Sequence, residues 1–310
     1  MILIDFTGER GQTLTGGYAK INLTNTQGGT NMFQPDKSTY QLADGHKMPM
    51  LGFGTYKLDN PELMDTAITT AYESGYRMFD TAQLYRNEKM LGDTIKRVAR
   101  REDVFIIDKV TEMNQGHDLT INSTDFSLQQ LGTDYVDLLL IHWPVAEHFF
   151  ETWKAMEELK KQGKARSIGV SNFTRSQLEL LKTQADEMPV VNQIETHPYL
   201  TQQPMIDFDK KMSIVTQAWS PLGRGIVLDN PMLDKMAKHH GKTPAQIVLR
   251  WDLQRGISII PKSKSPERIK ENTELDFELN SDEMRMLDVM NKNQRTGNEP
   301  ELVYELGKQY

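Results

Sequence analysis

Short apolar runs end near Gly54, Phe79, Ile107, Ile141, Val170, Ile194, Ala218 and Ile260, and polar turns and helical patterns separate them. Strands that alternate with helices must run parallel, joined by right-handed crossovers. Eight such units over this length favour closure into a (β/α)8 TIM barrel over an open doubly wound sheet. The open sheet would want Gly-x-Gly-x-x-Gly directly after its first strand, opening a helix. Here that strand ends Gly52-Phe53-Gly54-Thr55-Tyr56, with no third glycine.

Several helix ends are written into the chain. Asn60 caps a helix reaching Ser74, with Pro61 at its first position. Thr174 to Leu181 opens with a capping box, Thr174 to Gln177. Glu151 to Gln162 is amphipathic and Gly163 follows as its C-cap. Before the barrel, Thr39–Leu42 and Lys47–Met50 flank an Asp44-Gly45 turn, a hairpin signal. After it, Ser281 to Asn291 reads as an extra helix and residues 292–310 as a tail.

Residues 1–37 are set apart by composition, rich in Gly, Thr, Asn and Gln with no helical period. They read as an extension dispensable to about residue 35, leaving residues 38–310 as a single domain. With 38% hydrophobic residues, 310 positions suffice for one large core. The net charge of −7 comes without a basic stripe, so no nucleic-acid partner is expected. The absence of cysteine excludes disulfides, thiol nucleophiles and thiolate metal sites, and no metal is expected. No apolar run approaches membrane-spanning length, and Met1-Ile2-Leu3-Ile4-Asp5 is not a secretory signal. A cytoplasmic, monomeric protein without membrane partners is the expectation.

The chemistry gathers at strand ends, where barrels of this kind carry their active sites. Met78-Phe79 ends in Asp80, and Tyr85 follows in a loop before the next helix. Phe105-Ile106-Ile107-Asp108-Lys109 delivers a lysine, and Leu138 to Pro144 carries His142. Singly, each has a bland reading: a packing tyrosine, a structural ion pair, a core histidine. Together, Asp80, Tyr85, Lys109 and His142 resemble the catalytic tetrad of the aldo-keto reductases, and Gly75–Gly92 resembles that family's first signature. The resemblance extends from about Tyr40 to Tyr310. In that family the hairpin plugs the bottom of the barrel.

The resemblance implies NADPH-dependent reduction of a small carbonyl, dicarbonyl or keto-sugar, of the kind carried out by prokaryotic diketo-gluconate and methylglyoxal reductases. A phenol at its ordinary pKa of about 10 is a poor acid near neutrality. A buried ammonium beside it should lower that value. Tyr85 is then the acid, Lys109 its tuner, Asp80 the anchor of Lys109, and His142 the group that orients the carbonyl. By the same resemblance Ser171, Asn172 and Gln193 meet the nicotinamide amide, and Trp219 stacks on its ring. Ser220, Leu222 and Gly223 match the pyrophosphate loop, and Gly54 and Thr55 a further contact. Lys262, Ser263, Arg268, Glu271 and Asn272 match the segment that grips the adenosine 2′-phosphate and adenine.

Two departures stand out. The residue before the catalytic lysine is usually small or hydroxylated, whereas here it is Asp108, which strand alternation turns away from Lys109 towards the helices. The loop after Lys109 has Met113 where many relatives carry a tryptophan, so Met113, with Tyr56 and Trp143, is expected in the substrate wall. A glycosidase on the same barrel would need two facing carboxylates, for which Asp80 and Glu195 are the candidates. Lysine beside the first argues against it. A cofactor-binding redox sensor with little turnover is the remaining alternative.

Overall fold

Two short strands, β1 (Thr39–Gln41) and β2 (Lys47–Pro49), pair antiparallel and insert Leu42 and Met48, both buried, among the apolar side chains filling the barrel. The computed structural model describes residues 33–307. Residues 1–32 of the expected extension lie outside the described residues. The stretch after them is packed: Phe33 is buried in the main core, so a truncation at residue 35 would remove a core side chain.

Eight parallel strands follow: β3 (Gly52–Gly54), β4 (Met78–Asp80), β5 (Phe105–Val110), β6 (Val136–Ile141), β7 (Ala165–Ser171), β8 (Val191–Glu195), β9 (Val215–Trp219) and β10 (Ser258–Ile259). They pair in sequence order, and a parallel bridge from Leu51 to Ile259 joins the two edges. The (β/α)8 expectation holds.

The first helices are α1 (Pro61–Glu73), α2 (Glu88–Val98), α3 (His117–Leu131), α4 (Phe149–Lys161), α5 (Arg175–Leu181) and α6 (Gln203–Lys211). Then come α7 (Pro231–His240), α8 (Pro244–Gln254), α9 (Pro266–Glu271), α10 (Ser281–Asp288) and α11 (Pro300–Gly307). Asn60 caps α1 by accepting from the Leu63 amide, and Met64, Ala67, Ile68 and Ala71 form its buried stripe. The Thr174–Gln177 capping box is present on α5. Gly92 lets α2 approach α3, since a Cβ there would lie 2.2 Å from the Leu131 carbonyl oxygen.

Three boundaries differ from the sequence reading. Helix α4 starts at Phe149, ahead of Glu151, because that buried ring packs against Phe173. Helix α10 stops at Asp288, since the amides of Lys292 and Gln294 turn to the Tyr199 carbonyl (3.0 Å each). The expected tail contains α11 and, ahead of it, a segment that packs on the barrel mouth.

Strand alternation decides what enters the barrel. On β5, Phe105 and Ile107 face the interior core while Ile106 and Val110 face the helix layer. On β6, Leu138 and Leu140 point inward, and on β4 Met78 does. Continuing each inward row upward reaches Lys109, His142 and Asp80.

Candidate active site

These three residues are therefore the top layer of the barrel interior, set by register. Asp80 lies opposite Ile107, Lys109 opposite Leu140, and the His142 amide bonds the Val110 carbonyl at 3.0 Å. Lys109 is fully buried; its Nζ donates to Asp80 Oδ1 (2.5 Å) and the Thr81 carbonyl (2.9 Å). An ammonium at that depth without an anion would cost several kcal/mol. Gln193 Nε2 donates to the other Asp80 oxygen at 2.8 Å, fixing the carboxylate from β8.

Tyr85 reaches the same place from a 3-10 turn, Gln83–Tyr85, whose exit needs Arg86 in the left-handed region (φ 54°). Buried Asn87 holds this turn by donating to the Thr55 and Leu58 carbonyls and accepting from Thr81 Oγ1. Sequence reading passed over Asn87. Lys109 Nζ lies 5.2 Å from the Tyr85 ring centre, and the His142 ring stands edge-on at 5.8 Å.

The electrostatics correct one expectation. Lys109 was to lower the phenol, yet burial pushes Tyr85 well above its usual value, and the Asp80 charge adds to the rise. Desolvation is the larger effect, and the Lys109 ammonium, 5.2 Å from the ring centre, does not offset it. His142 is driven down to about 3, by burial first and by Lys109 second, so its ring is neutral. The site thus offers a protonated phenol and a neutral imidazole over a compensated ion pair.

A cavity of about 490 Å³ opens above them. Asp80, Tyr85 and His142 line it, as do Tyr56 and Trp143 of the expected wall. Met113 does not: it is 87% exposed. Its turn is held by Asn114, which donates to Gln83 Oε1 (2.8 Å) and accepts from Thr120 through its carbonyl, and this leaves Met113 facing solvent.

Of the residues expected at the cofactor, Gly54, Ser171, Asn172 and Gln193 line the cavity, with Trp219, Ser220, Leu222 and Lys262 beside them. Thr55 lies beneath, its hydroxyl bonded to the Asp80 carbonyl (2.9 Å). Gly223 packs on the His197 ring, while Ser263 is tied to Ser265. Ser263, Arg268, Glu271 and Asn272 are outside the cavity lining, before, on and just after α9. Both Asn172 Nδ2 protons are spent, on the His142 carbonyl and Ser171 Oγ, and its Oδ1 accepts from Trp219 Nε1 (2.8 Å). A carboxamide would have to exchange with these bonds.

The cations beside the cavity test the fit to a phosphate. Lys57, Lys262, Lys264 and Arg268 form no ion pair among the described residues. Burial lowers the Lys262 pKa first, and Lys264, Lys57 and Arg268 lower it further, with Asp59 opposing. Such a cluster in a chain of net charge −7 suits an anion that is not part of the protein.

Sequence reading also missed Gly297 and Asn298, which line the cavity. Glu195, weighed only as a glycosidase carboxylate, is buried and bonds this segment instead. His239, His240 and Glu283 have donor types a metal could use, but they lie between α7 and α10 and do not line the cavity.

Residues 50–292 match the family model described as "Aldo/keto reductase family". A glyoxal reductase of Bacillus subtilis is 44% identical over 267 residues, covering 86% of this chain and 97% of its own. The methylglyoxal reductase DkgA of Escherichia coli O157:H7 is 42% identical over 267 residues, covering 84% and 96%. A Bombyx mori aldo-keto reductase crystallised with NADP superposes with a TM-score of 0.81 at 33% identity, over 86% of this chain and 96% of its own.

Proposed function

The chain belongs to the aldo/keto reductase family, and from that premise we propose that it reduces small aldehydes and dicarbonyls with NADPH, using Tyr85 as the acid. The observation that carries this reading is the buried Lys109–Asp80 pair beneath Tyr85, beside a neutral His142, at the floor of one cavity. When bound, the reduced nicotinamide supplies a hydride to the carbonyl carbon. Tyr85 gives its hydroxyl proton to the carbonyl oxygen, completing the alcohol, and is reprotonated from solvent. A neutral His142 can donate a hydrogen bond to that oxygen without competing for the proton. Tyr56 and Trp143 confine the remainder of a small substrate.

Ser171, Asn172 and Gln193 would hold the carboxamide, Trp219 the ring, and Ser220, Leu222 and Gly223 the pyrophosphate. Lys262, Ser263 and Arg268 would take the 2′-phosphate, with Glu271 and Asn272 at the adenine. The unpaired cations favour NADPH over NADH. Charge-assisted bonds contribute about 1.5–3 kcal/mol each, so losing two with the phosphate should weaken NADH by about a hundredfold or more. The decisive assay follows NADPH oxidation with glyoxal, methylglyoxal and keto-sugars, alongside fluorescence titration of both cofactors. Arg268→Ala should weaken NADPH strongly and NADH little. Equal affinities for the two cofactors in the unaltered protein would reject this phosphate site.

A further inference from the structure

Glu195 closes β8 with its side chain fully buried, on the same strand face as Gln193 two residues earlier. A carboxylate there must find donors, and it takes them from a distant part of the chain. Its Oε1 accepts from the Thr296 amide (2.6 Å), Thr296 Oγ1 (2.5 Å) and the Gly297 amide (3.3 Å). Its Oε2 lies 3.2 Å from that same Gly297 amide and 3.9 Å from an Arg295 guanidinium nitrogen. His197 Nε2 stands 3.2 Å from Oε1. Among the described residues, every hydrogen bond made by Thr296 and Gly297 ends on this one carboxylate. Burial would raise the Glu195 pKa, but His197, Thr296 and Gly297 outweigh it and keep the group ionised.

The held segment has one place to go. A Cβ on Gly297 would fall 2.3 Å from the Trp219 ring, so the backbone rests on that ring and only glycine permits it. Gly297 and Asn298 then form part of the cavity wall. A mere structural pair would need only His197; the clustered donors from Thr296 and Gly297 mark a fastening point for an otherwise irregular stretch.

We propose that Glu195 is a positioning residue that latches Thr296–Asn298 onto Trp219 and so sets which carbonyl side chains the cavity admits, the selectivity resting on the reductase reading above. Releasing the latch opens the wall, so bulky substrates gain and small ones lose their fit.

The test uses the full chain and Glu195→Gln, which keeps the shape and removes the charge. Amide exchange of Thr296 and Gly297, measured without cofactor, should quicken by about tenfold or more, which is roughly 1.4 kcal/mol. With NADPH, the KM ratio of 4-nitrobenzaldehyde to glyoxal should fall by about tenfold while kcat on glyoxal moves less than about threefold. Gly297→Ala, which leaves Glu195 intact but lifts the segment off Trp219, should shift the same ratio and covers the case in which the first variant misfolds. Equal exchange in the unaltered protein and Glu195→Gln, or an unmoved KM ratio in both variants, overturns the latch. If the unaltered protein reduces neither carbonyl, the proposed function fails while the exchange result still decides whether the latch exists.

Discussion

Lys109 and Asp108 are neighbours on β5, equally buried, and they solve the same problem in opposite ways. Inside the barrel, Lys109 meets Asp80 at 2.5 Å and the charge is kept. Outside, Asp108 faces the α2–α3 layer, where neither of its oxygens has a hydrogen-bond partner and Glu88 Oε1 is likewise unpartnered. Burial pushes Asp108 well above the usual carboxylate range, and the charge of Glu88 adds to it. Burial raises Glu88 too, and the nearby Ser127 hydroxyl and Asp108 carboxyl pull it partway back. The wall of one strand thus separates a charge held by its counter-ion from an acid held by its proton. On the proposed function the inner arrangement serves chemistry. The outer one makes stability depend on pH.

Breaking the inner pair should have the largest effect. Lys109→Met leaves Asp80 buried without a cation, a loss of about 3–5 kcal/mol of stability, and removes the charge beneath Tyr85. Tyr85→Phe isolates the chemical step: kcat should fall by about 10²–10⁴ with NADPH affinity within a few-fold. Single-turnover rates with a thermal melt separate the two, and Tyr85→Phe retaining more than about a tenth of the activity would remove it as the acid. Because burial holds the phenol high, reduction should stay level through neutral pH and decline only above about 10.

The outer acid gives the next effect, and its sign is fixed by the direction of the shift. A carboxyl whose folded pKa lies above its unfolded value of about 3.9 favours the fold at low pH. That contribution is lost as pH rises through and beyond the unfolded value. Asp108→Asn cannot ionise, so its melting temperature should exceed that of the unaltered protein at pH 9 by more than it does at pH 5. An unsatisfied buried polar group typically costs about 1–3 kcal/mol, which at this size is a few degrees. Turnover should change less than about threefold, since the side chain points away from the site. Parallel melting curves at the two pH values would show that the pair is not held by its proton.

How much of this could be read from the chain depends on whether the signal is local. The strand ends, the Asn60 cap and the Thr174 box depend on residues a few positions apart; both caps appear where the sequence placed them, and the strand ends fall within three residues of its reading. The meeting of Asp80, Lys109 and His142 was legible because each continues an inward row of its own strand, and Tyr85 joins them from the turn that follows β4. The outward aim of Asp108 followed from alternation alone. The Glu195 fastening was not legible, because its donors lie 101 and 102 positions away in a stretch with no periodicity. Met113 went astray for a similar reason: the turn carrying it is aimed by Asn114 and Gln83, which are 31 residues apart. The lowered phenol failed differently, since residue types name a neighbouring charge but not how strongly burial opposes it.

Asp209 supplies the intermediate case and the smallest effect. Like Asp108 it is buried outside the barrel wall, but it accepts from Thr216 Oγ1 at 2.9 Å and Asn192 Nδ2 at 3.4 Å. Burial still dominates and pushes it up to about 7, with those two bonds pulling it back. Its stabilising contribution is therefore complete below the unfolded pKa of about 3.9 and is lost progressively as pH rises to about 7. Above that the group is ionised in both states and the slope vanishes. A rise from about 4 to about 7 is worth at most about 4 kcal/mol. The realised value should be smaller than for Asp108, because the carboxylate, once formed, already has two donors to receive it. Asp209→Asn keeps an acceptor for Thr216, so it should fold. The gap between its melting temperature and that of the unaltered protein should widen from pH 4 to about 7 and then stay constant, whereas the Asp108→Asn gap keeps widening. A gap for Asp209→Asn that continued to grow above pH 8 would mean that its hydrogen bonds do not ease ionisation, and that hydrogen bonding does not distinguish the two outer acids.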